Sequence, residues 1–122
     1  SIAETSLEGI VSDPDALSPE LIDAFVDELQ RPKAGKAYRS WRASEVGYGG
    51  WNTYYYTQLD ELESPALFVH GGQDEVFPAR WAERAAGIAP EGEVEVFEDA
   101  AHWLPRDRPD RLEELLLAYL RD

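Results

Sequence analysis

The sequence predicts an α/β protein: a helical first half followed by a β-α-β-α unit with parallel strands. Three features carry this. Ser64-Pro65 leads into a continuous apolar run, Ala66 to Val69, which suits a strand buried on both faces of a parallel sheet. Further on, Glu93-Val94-Glu95-Val96 alternates, as a half-exposed edge strand does. Each strand is followed by a helix with a proline at its start, Pro78 in one case and Pro109 in the other.

Residues 1 to about 12 read as the tail of a helix with Ile2, Leu7 and Ile10 apolar, broken by Asp13-Pro14-Asp15. Ser18-Pro19-Glu20 then starts a helix. Ser18 suits the N-cap, Pro19 has no N–H to leave unpaired at N1, and Glu20 is favoured by the helix dipole. Leu21, Ile22, Phe25, Val26 and Leu29 follow at helical spacing until Arg31-Pro32 ends the element. A second helix is expected from about Lys33 to Glu45, burying Ala37, Tyr38 and Trp41. Gly47, Gly49 and Gly50 mark a turn, and the aromatic stretch Trp51 to Leu59 is expected to be helical. After the Ala66–Val69 strand, the helix opened by Pro78 and Trp81 should close near Ala89-Pro90. In the last helix Leu112, Leu115, Leu116, Tyr119 and Leu120 form an apolar stripe. The division expected is a helical segment, 1–63, and an α/β unit, 64–122.

Charge and composition exclude several classes. The 122 residues carry 25 acidic and 11 basic side chains, net −14, with Lys33 and Lys36 the only lysines. So acidic a surface repels nucleic acid and anionic membranes. The absence of cysteine excludes disulfides, thiolate chemistry and Cys-based zinc sites. No apolar run reaches membrane-spanning length and no signal-peptide pattern opens the sequence, so a cytoplasmic location is expected. Excess carboxylates with few lysines also suit salt adaptation. Raising chloride shortens the Debye length from about 10 Å at 0.1 M to about 3 Å at 1 M, which relieves repulsion among the carboxylates. The melting temperature is therefore expected to rise between low and molar chloride, mostly by a few tenths molar. A flat or falling trend in a thermal melt series would remove both the repulsion and the salt-adaptation readings.

Two segments carry chemistry. Asp74 stands four residues past the apolar strand, at the carboxyl end where open α/β sheets place ligands. By its residues alone it reads first as an Asx-turn or cap residue before the Pro78 helix, since Asp is common in such turns. His102 follows the alternating strand and the turn Asp99-Ala100-Ala101, and precedes Trp103. Imidazole accepts and returns a proton near neutral pH, yet a lone histidine is also compatible with a structural role. His70, at the end of the first strand, reads as packing or turn support. A metal site of His70, Asp74 and His102 lacks diagnostic spacing, and neither metal nor cofactor is expected.

Together these segments resemble the closing stretch of an α/β-hydrolase. Gly71, Asp74 and Pro78 match the family pattern Gly-x-x-Asp-x-x-x-Pro, and Asp99-Ala-Ala-His102-Trp103 matches its histidine turn, with Ala101 where the family has glycine. The resemblance implies an incomplete α/β-hydrolase fold with a helical lid, in which Asp74 is the acid and His102 the base of a catalytic triad. The family order is nucleophile, acid, histidine. No Gly-x-Ser-x-Gly, Gly-x-Cys-x-Gly or Gly-x-Asp-x-Gly occurs in the sequence, so the nucleophile is expected upstream of Ser1 and the chain alone is expected to be inactive. The implied substrate is an ester, an epoxide or a comparable small apolar molecule. Tyr54, Tyr55 and Trp103 are the residues expected to contact it, with the lid tyrosines suited to donating hydrogen bonds to a developing alkoxide. Against this, the aromatics at 51–56 suit packing of lid on core better than contact with substrate. A two-stranded parallel sheet cannot cover its own faces, so a missing N-terminal portion or a self-associated copy is expected as partner. A different class, a non-catalytic domain binding through its free strand edge, also fits these residues, as does one chain of a split hydrolase.

Overall fold

The computed structural model describes residues 2–121, with the side chains of residues 2 and 3 left aside, so the apolar role of Ile2 lies outside the described residues. Four helical elements lead: α1 (Ile2–Glu8), a 3-10 turn (Pro14–Ala16), α2 (Pro19–Gln30) and α3 (Lys36–Glu45). A small hairpin follows, β1 (Val46–Gly47) and β2 (Gly50–Trp51), then a 3-10 helix (Tyr55–Glu61). The α/β unit comprises β3 (Ala66–Gly71), α4 (Arg80–Ile88), β4 (Gly92–Phe97), α5 (Leu104–Asp107) and α6 (Pro109–Tyr119). β3 and β4 run parallel, in register from Ala66 opposite Gly92 to Gly71 opposite Phe97, and α4 makes the crossover and packs on both strands.

The start of α2 follows from its first residues. The Ser18 side chain accepts the Leu21 N–H at 3.2 Å, and Pro19 occupies the first turn. The next helix begins three residues later than its composition suggests, because Lys33 and Gly35 both adopt positive φ, 71° and 69°. That left-handed backbone cannot continue a helix, so Gly35 becomes the N-cap. Trp51 belongs to a strand and not to a helix. Gly50, at φ 103°, lets the chain reverse so that Val46 pairs with Trp51.

Two hydrophobic clusters hold the fold. Leu7, Val11 and Leu17 are buried with Ile10, Leu21, Ile22, Phe25 and Trp103 around them. Phe97, Ala100 and Leu104 are buried with Val69, Leu112 and Leu115. Burying a Phe97 or a Leu7 contributes about 1.5–3 kcal/mol each relative to exposure. Trp103, coming from the α/β unit, completes the cluster of the helical segment, and its N–H donates to the Ile10 carbonyl at 2.7 Å. The helical segment is thus fastened to the turn that carries His102.

Tyr38 and Trp41 are not buried, contrary to expectation. Their rings are about half exposed and stack along α3 and onto the hairpin, Tyr38 to Trp41 at 5.7 Å and Trp41 to Trp51 at 5.8 Å. Helical spacing selected a common face correctly, but that face borders a cavity and not a core. The leucine stripe of α6 is also covered only in part: Leu112 and Leu115 pack inward, while Leu116, Leu117 and Leu120 stay exposed.

Candidate active site

Asp74 and His102 meet across the carboxyl ends of the two parallel strands. The loop after β3 bends so that Asp74 Oδ1 accepts the N–H groups of Val76 and Phe77, at 2.8 and 2.9 Å. This Asx arrangement fixes the carboxylate and leaves Oδ2 facing the opposite loop. His102 Nδ1 lies 2.9 Å from that Oδ2. A carboxylate only accepts, so Nδ1 carries the proton and Nε2 is left as the free acceptor. The Asp74 side chain is 4 % exposed and that of His102 35 %, so the acid is enclosed and the base is open on one side. Burial pulls the Asp74 carboxyl upward. The Phe77 N–H, His102 and the Val76 N–H outweigh it and hold the group below its usual 3.8. An ionised, fixed carboxylate behind an imidazole keeps the ring's tautomer and orientation and stabilises an imidazolium.

The turn that projects His102 has its own supports. Asp107, buried in α5, accepts the Ala101 N–H at 2.7 Å and the Ser12 N–H at 2.8 and 3.0 Å. Ser12 Oγ donates to the Asp99 carbonyl at 3.0 Å. Asp99 receives Arg108 Nε at 2.7 Å and Arg111 Nη1 at 3.2 Å, and the Arg108 hydrogen bond is the main reason its carboxyl is lowered. One carboxylate, Asp107, therefore binds the helical segment and the histidine turn together. Asp107→Ala strands two backbone N–H groups, one of them buried, at about 1–3 kcal/mol each. The expected loss is about 2–4 kcal/mol in urea unfolding, with Asp107→Asn losing less because it keeps an acceptor. A loss below about 0.5 kcal/mol for the alanine variant would contradict this role.

Two cavities flank the pair. One, about 550 Å³, is lined by Tyr38, Trp41, Arg42, Val46, Gly50, Trp51, Val76, Phe77 and His102. Phe77 stacks near the imidazole at 5.6 Å between ring centres. The other, about 620 Å³, is lined by Glu8, Val11, Ser12, Gly72, Gln73, Asp74, Glu75 and others and is acidic. The base thus opens into an aromatic chamber whose cation is Arg42. Among the described residues the Arg42 guanidinium has no hydrogen-bond or ion-pair partner, while Arg31, Arg108 and Arg111 are paired.

The residues expected to contact substrate lie elsewhere. Tyr54 and Tyr55 are exposed and line neither cavity beside the pair. Tyr54 leans on Tyr56 at 5.4 Å, and Tyr56 anchors the 3-10 helix by donating its hydroxyl to the Trp81 carbonyl at 2.7 Å. Trp103 turns away from the chamber because its indole completes the Leu7–Val11–Leu17 cluster, with Arg106 over its ring. The aromatic walls come instead from α3, the hairpin and the acid loop. Their signal was present in Tyr38, Trp41 and Arg42 at helical spacing and in Val76-Phe77 beside Asp74.

With this geometry in view, the family model for the alpha/beta hydrolase fold matches residues 23–109. The chain belongs to the α/β-hydrolase fold family. A search of curated protein sequences gives no match. Similar solved structures include a serine hydrolase involved in carbazole degradation, at 18 % identity and TM-score 0.84, covering 98 % of this chain and 46 % of that one. A 2-hydroxy-6-oxo-6-phenylhexa-2,4-dienoate hydrolase from a Rhodococcus strain matches at 18 % identity and TM-score 0.81, covering 98 % and 43 %. The naproxen esterase of Bacillus subtilis matches at 19 % identity and TM-score 0.76, covering 97 % and 40 %. The chain spans less than half the length of these hydrolases, so the α/β-hydrolase fold is present here in part. Among the described residues no helix is long and apolar enough to cross a membrane.

Proposed function

We propose that this chain supplies the acid and base of a hydrolase, Asp74 and His102, to a nucleophile outside it. The observation that carries this is the 2.9 Å contact between His102 Nδ1 and Asp74 Oδ2, which leaves Nε2 as the free acceptor of a residue that lines an aromatic chamber. The nucleophile is proposed to be serine, as two of the similar structures are described as serine hydrolases. His102 Nε2 then takes the serine proton as the oxygen attacks the substrate carbonyl. It returns that proton to the leaving group and activates water to release the acyl group. With an aspartate nucleophile the same histidine would serve only the water step, on an epoxide or a related alkyl substrate.

The chamber narrows the substrate class. Tyr38, Trp41, Trp51 and Phe77 favour a flat apolar group, and the unpaired Arg42 favours an anionic substituent on it. The similar hydrolases named for a phenylhexadienoate and for naproxen fit that class. Residues 1–63 act in this proposal as the lid. The rest of the hydrolase core, joined to this chain or contributed by another, covers what it leaves open. Exposed Leu116, Leu117 and Leu120 support that, as does the Tyr119 hydroxyl, buried without a partner among the described residues.

The test uses the complete hydrolase and paired aryl esters, neutral and carboxylate-bearing. Arg42→Ala is expected to raise KM for the anionic ester about tenfold, the worth of one exposed charge-assisted contact, and to leave the neutral ester within about twofold. Equal effects on both would remove the anion-binding role. Failure of the complete protein to turn over any ester or epoxide would remove the hydrolase reading itself.

A further inference from the structure

Charge is spread unevenly along this chain. Five of its 11 basic side chains, Arg31, Lys33, Lys36, Arg39 and Arg42, stand within residues 31–42 with no acidic residue among them, and all 25 acidic side chains lie outside that stretch. All five are exposed. Arg31 pairs with Glu28 at 2.9 Å, whereas Lys33, Lys36, Arg39 and Arg42 have no ion-pair partner among the described residues. Local hydrogen bonds gather the cations at the start of α3. The Lys36 N–H donates to the Lys33 carbonyl at 3.0 Å, and Arg39 Nη1 reaches back to the Ala34 carbonyl at 3.3 Å. Helix stability does not ask for this placement. A first turn favours carboxylates and α3 has none there, while Lys36, Arg39 and Arg42, at three-residue spacing, repel one another.

The same helix forms a wall of the aromatic chamber, where Tyr38, Trp41 and Arg42 stand with His102. Lys36 precedes Arg42 by six residues, about 9 Å along the helix axis. That is within the Debye length of about 10 Å at 0.1 M salt. On the other side of the Asp74–His102 pair, the cavity is lined by Glu8, Asp74 and Glu75. An anion near the pair is therefore drawn toward α3 and repelled from the opposite cavity, while the net charge of −14 opposes its approach to the chain as a whole. We propose that Lys33, Lys36 and Arg39 form an electrostatic entry path, which raises the local concentration of an anionic substrate at the aromatic chamber and delivers it to Arg42. This rests on the flat, anionic substrate proposed above, and adds three residues that act on it from a distance.

One unit charge about 10 Å away in low-salt water changes the local concentration of a monovalent anion about 1.7-fold, and three multiply to about fivefold. The experiment measures kcat/KM of the complete hydrolase on the carboxylate-bearing and the neutral aryl ester, from about 10 mM to about 1 M sodium chloride. It compares the unaltered protein with a triple variant, Lys33→Gln, Lys36→Gln and Arg39→Gln, and with a charge-keeping one, Lys33→Arg, Lys36→Arg and Arg39→Lys. At low salt the glutamine variant is expected to lose about fivefold on the anionic ester through KM, with kcat unchanged. At about 1 M, where the Debye length is about 3 Å, it should converge on the unaltered protein. The charge-keeping variant should follow the unaltered protein throughout, and the neutral ester should stay within about twofold in all three. If circular dichroism shows the triple glutamine variant unfolded, Lys36→Gln and Arg39→Gln singly decide, each with an expected loss of about 1.7-fold at low salt. A deficit that persists at molar salt, an equal loss on the neutral ester, or no deficit at any salt would each overturn the proposal. A salt-sensitive dimer in sedimentation, abolished by the glutamine variant while its kinetics stay unchanged, would assign the cluster to the acidic surface of a second copy instead. Arg42→Ala separates the two levels. If it discriminates between the esters while the glutamine variant does not, the anionic-substrate reading stands and the entry path alone fails; if it does not discriminate either, that reading fails first.

Discussion

Replacing His102 by alanine in the complete hydrolase is expected to lower kcat/KM on an aryl ester about ten-thousandfold. Asp74 at Nδ1 orients the ring and leaves Nε2 to take a proton, and His102 lines the aromatic chamber, whereas His70 lines neither cavity beside the pair. Triad members act as a unit, and loss of the base removes nearly the whole of their joint effect. A ten-thousandfold loss corresponds to about 5.5 kcal/mol of transition-state stabilisation. Asp74→Asn is expected to cost about as much. An amide at Oδ2 accepts less strongly and, rotated, presents an N–H to Nδ1, which stabilises the wrong tautomer. Neither change touches a hydrophobic cluster, so KM for a neutral ester should move little. Steady-state kinetics on both variants read this directly, and a loss of less than tenfold in either would show that the pair does not run the reaction.

The second large effect is structural. Gly71 ends β3 where the histidine turn crosses it, and a Cβ placed there would lie 2.2 Å from the Ala101 carbonyl oxygen and 2.6 Å from that of Ala100. These obstacles are backbone atoms and cannot rotate aside. Gly71→Ala must push the turn that carries His102 away from the strand that leads to Asp74. Overpacking costs typically about 1–3 kcal/mol, and with two main-chain carbonyls in the way the expected loss is at the top of that range, about 3 kcal/mol, with activity lost in the same variant. Gly49→Ala is the control. Nothing lies within 4 Å of its Cβ position, and the change should be within about 0.5 kcal/mol. Urea unfolding of the two variants side by side checks the contrast; equal stabilities would mean that the close approach at Gly71 is not what the glycine serves.

That crossing explains what was legible in the sequence. A glycine three residues before an aspartate looks like a motif. Physically it is the place where two loops come within contact distance, so that a carboxylate and an imidazole 28 positions apart can share a proton. The strands were legible because a continuous apolar run and an alternating one both mark extended chain, although the burial differs from the expectation: Ala66 to His70 are only partly covered, and Val94 is exposed beside Glu93. The Ser18-Pro19 start was legible because capping is local. What sequence spacing could not reveal was the direction a face turns once formed. Tyr38 and Trp41 share a helical face, as their spacing says, but whether that face meets core or cavity depends on the hairpin at Gly50 and on the acid loop that brings Phe77 opposite. Trp103 beside His102 looked like a substrate contact by adjacency. Its burial depends on Leu7, Val11 and Leu17, which lie some ninety residues earlier in the chain and carry no local sign of it. Likewise Asp107 gives no hint in sequence that it accepts from Ser12.

The most direct test of the central claim, that this chain carries an acid–base pair serving a nucleophile from elsewhere, compares aryl-ester turnover by the chain alone with turnover by the complete hydrolase. The chain alone is expected to show none. The complete hydrolase is expected to turn over, and His102→Ala should abolish that turnover. Turnover by the isolated chain that is lost in its own His102→Ala variant, or a complete hydrolase indifferent to the same substitution, would contradict the claim.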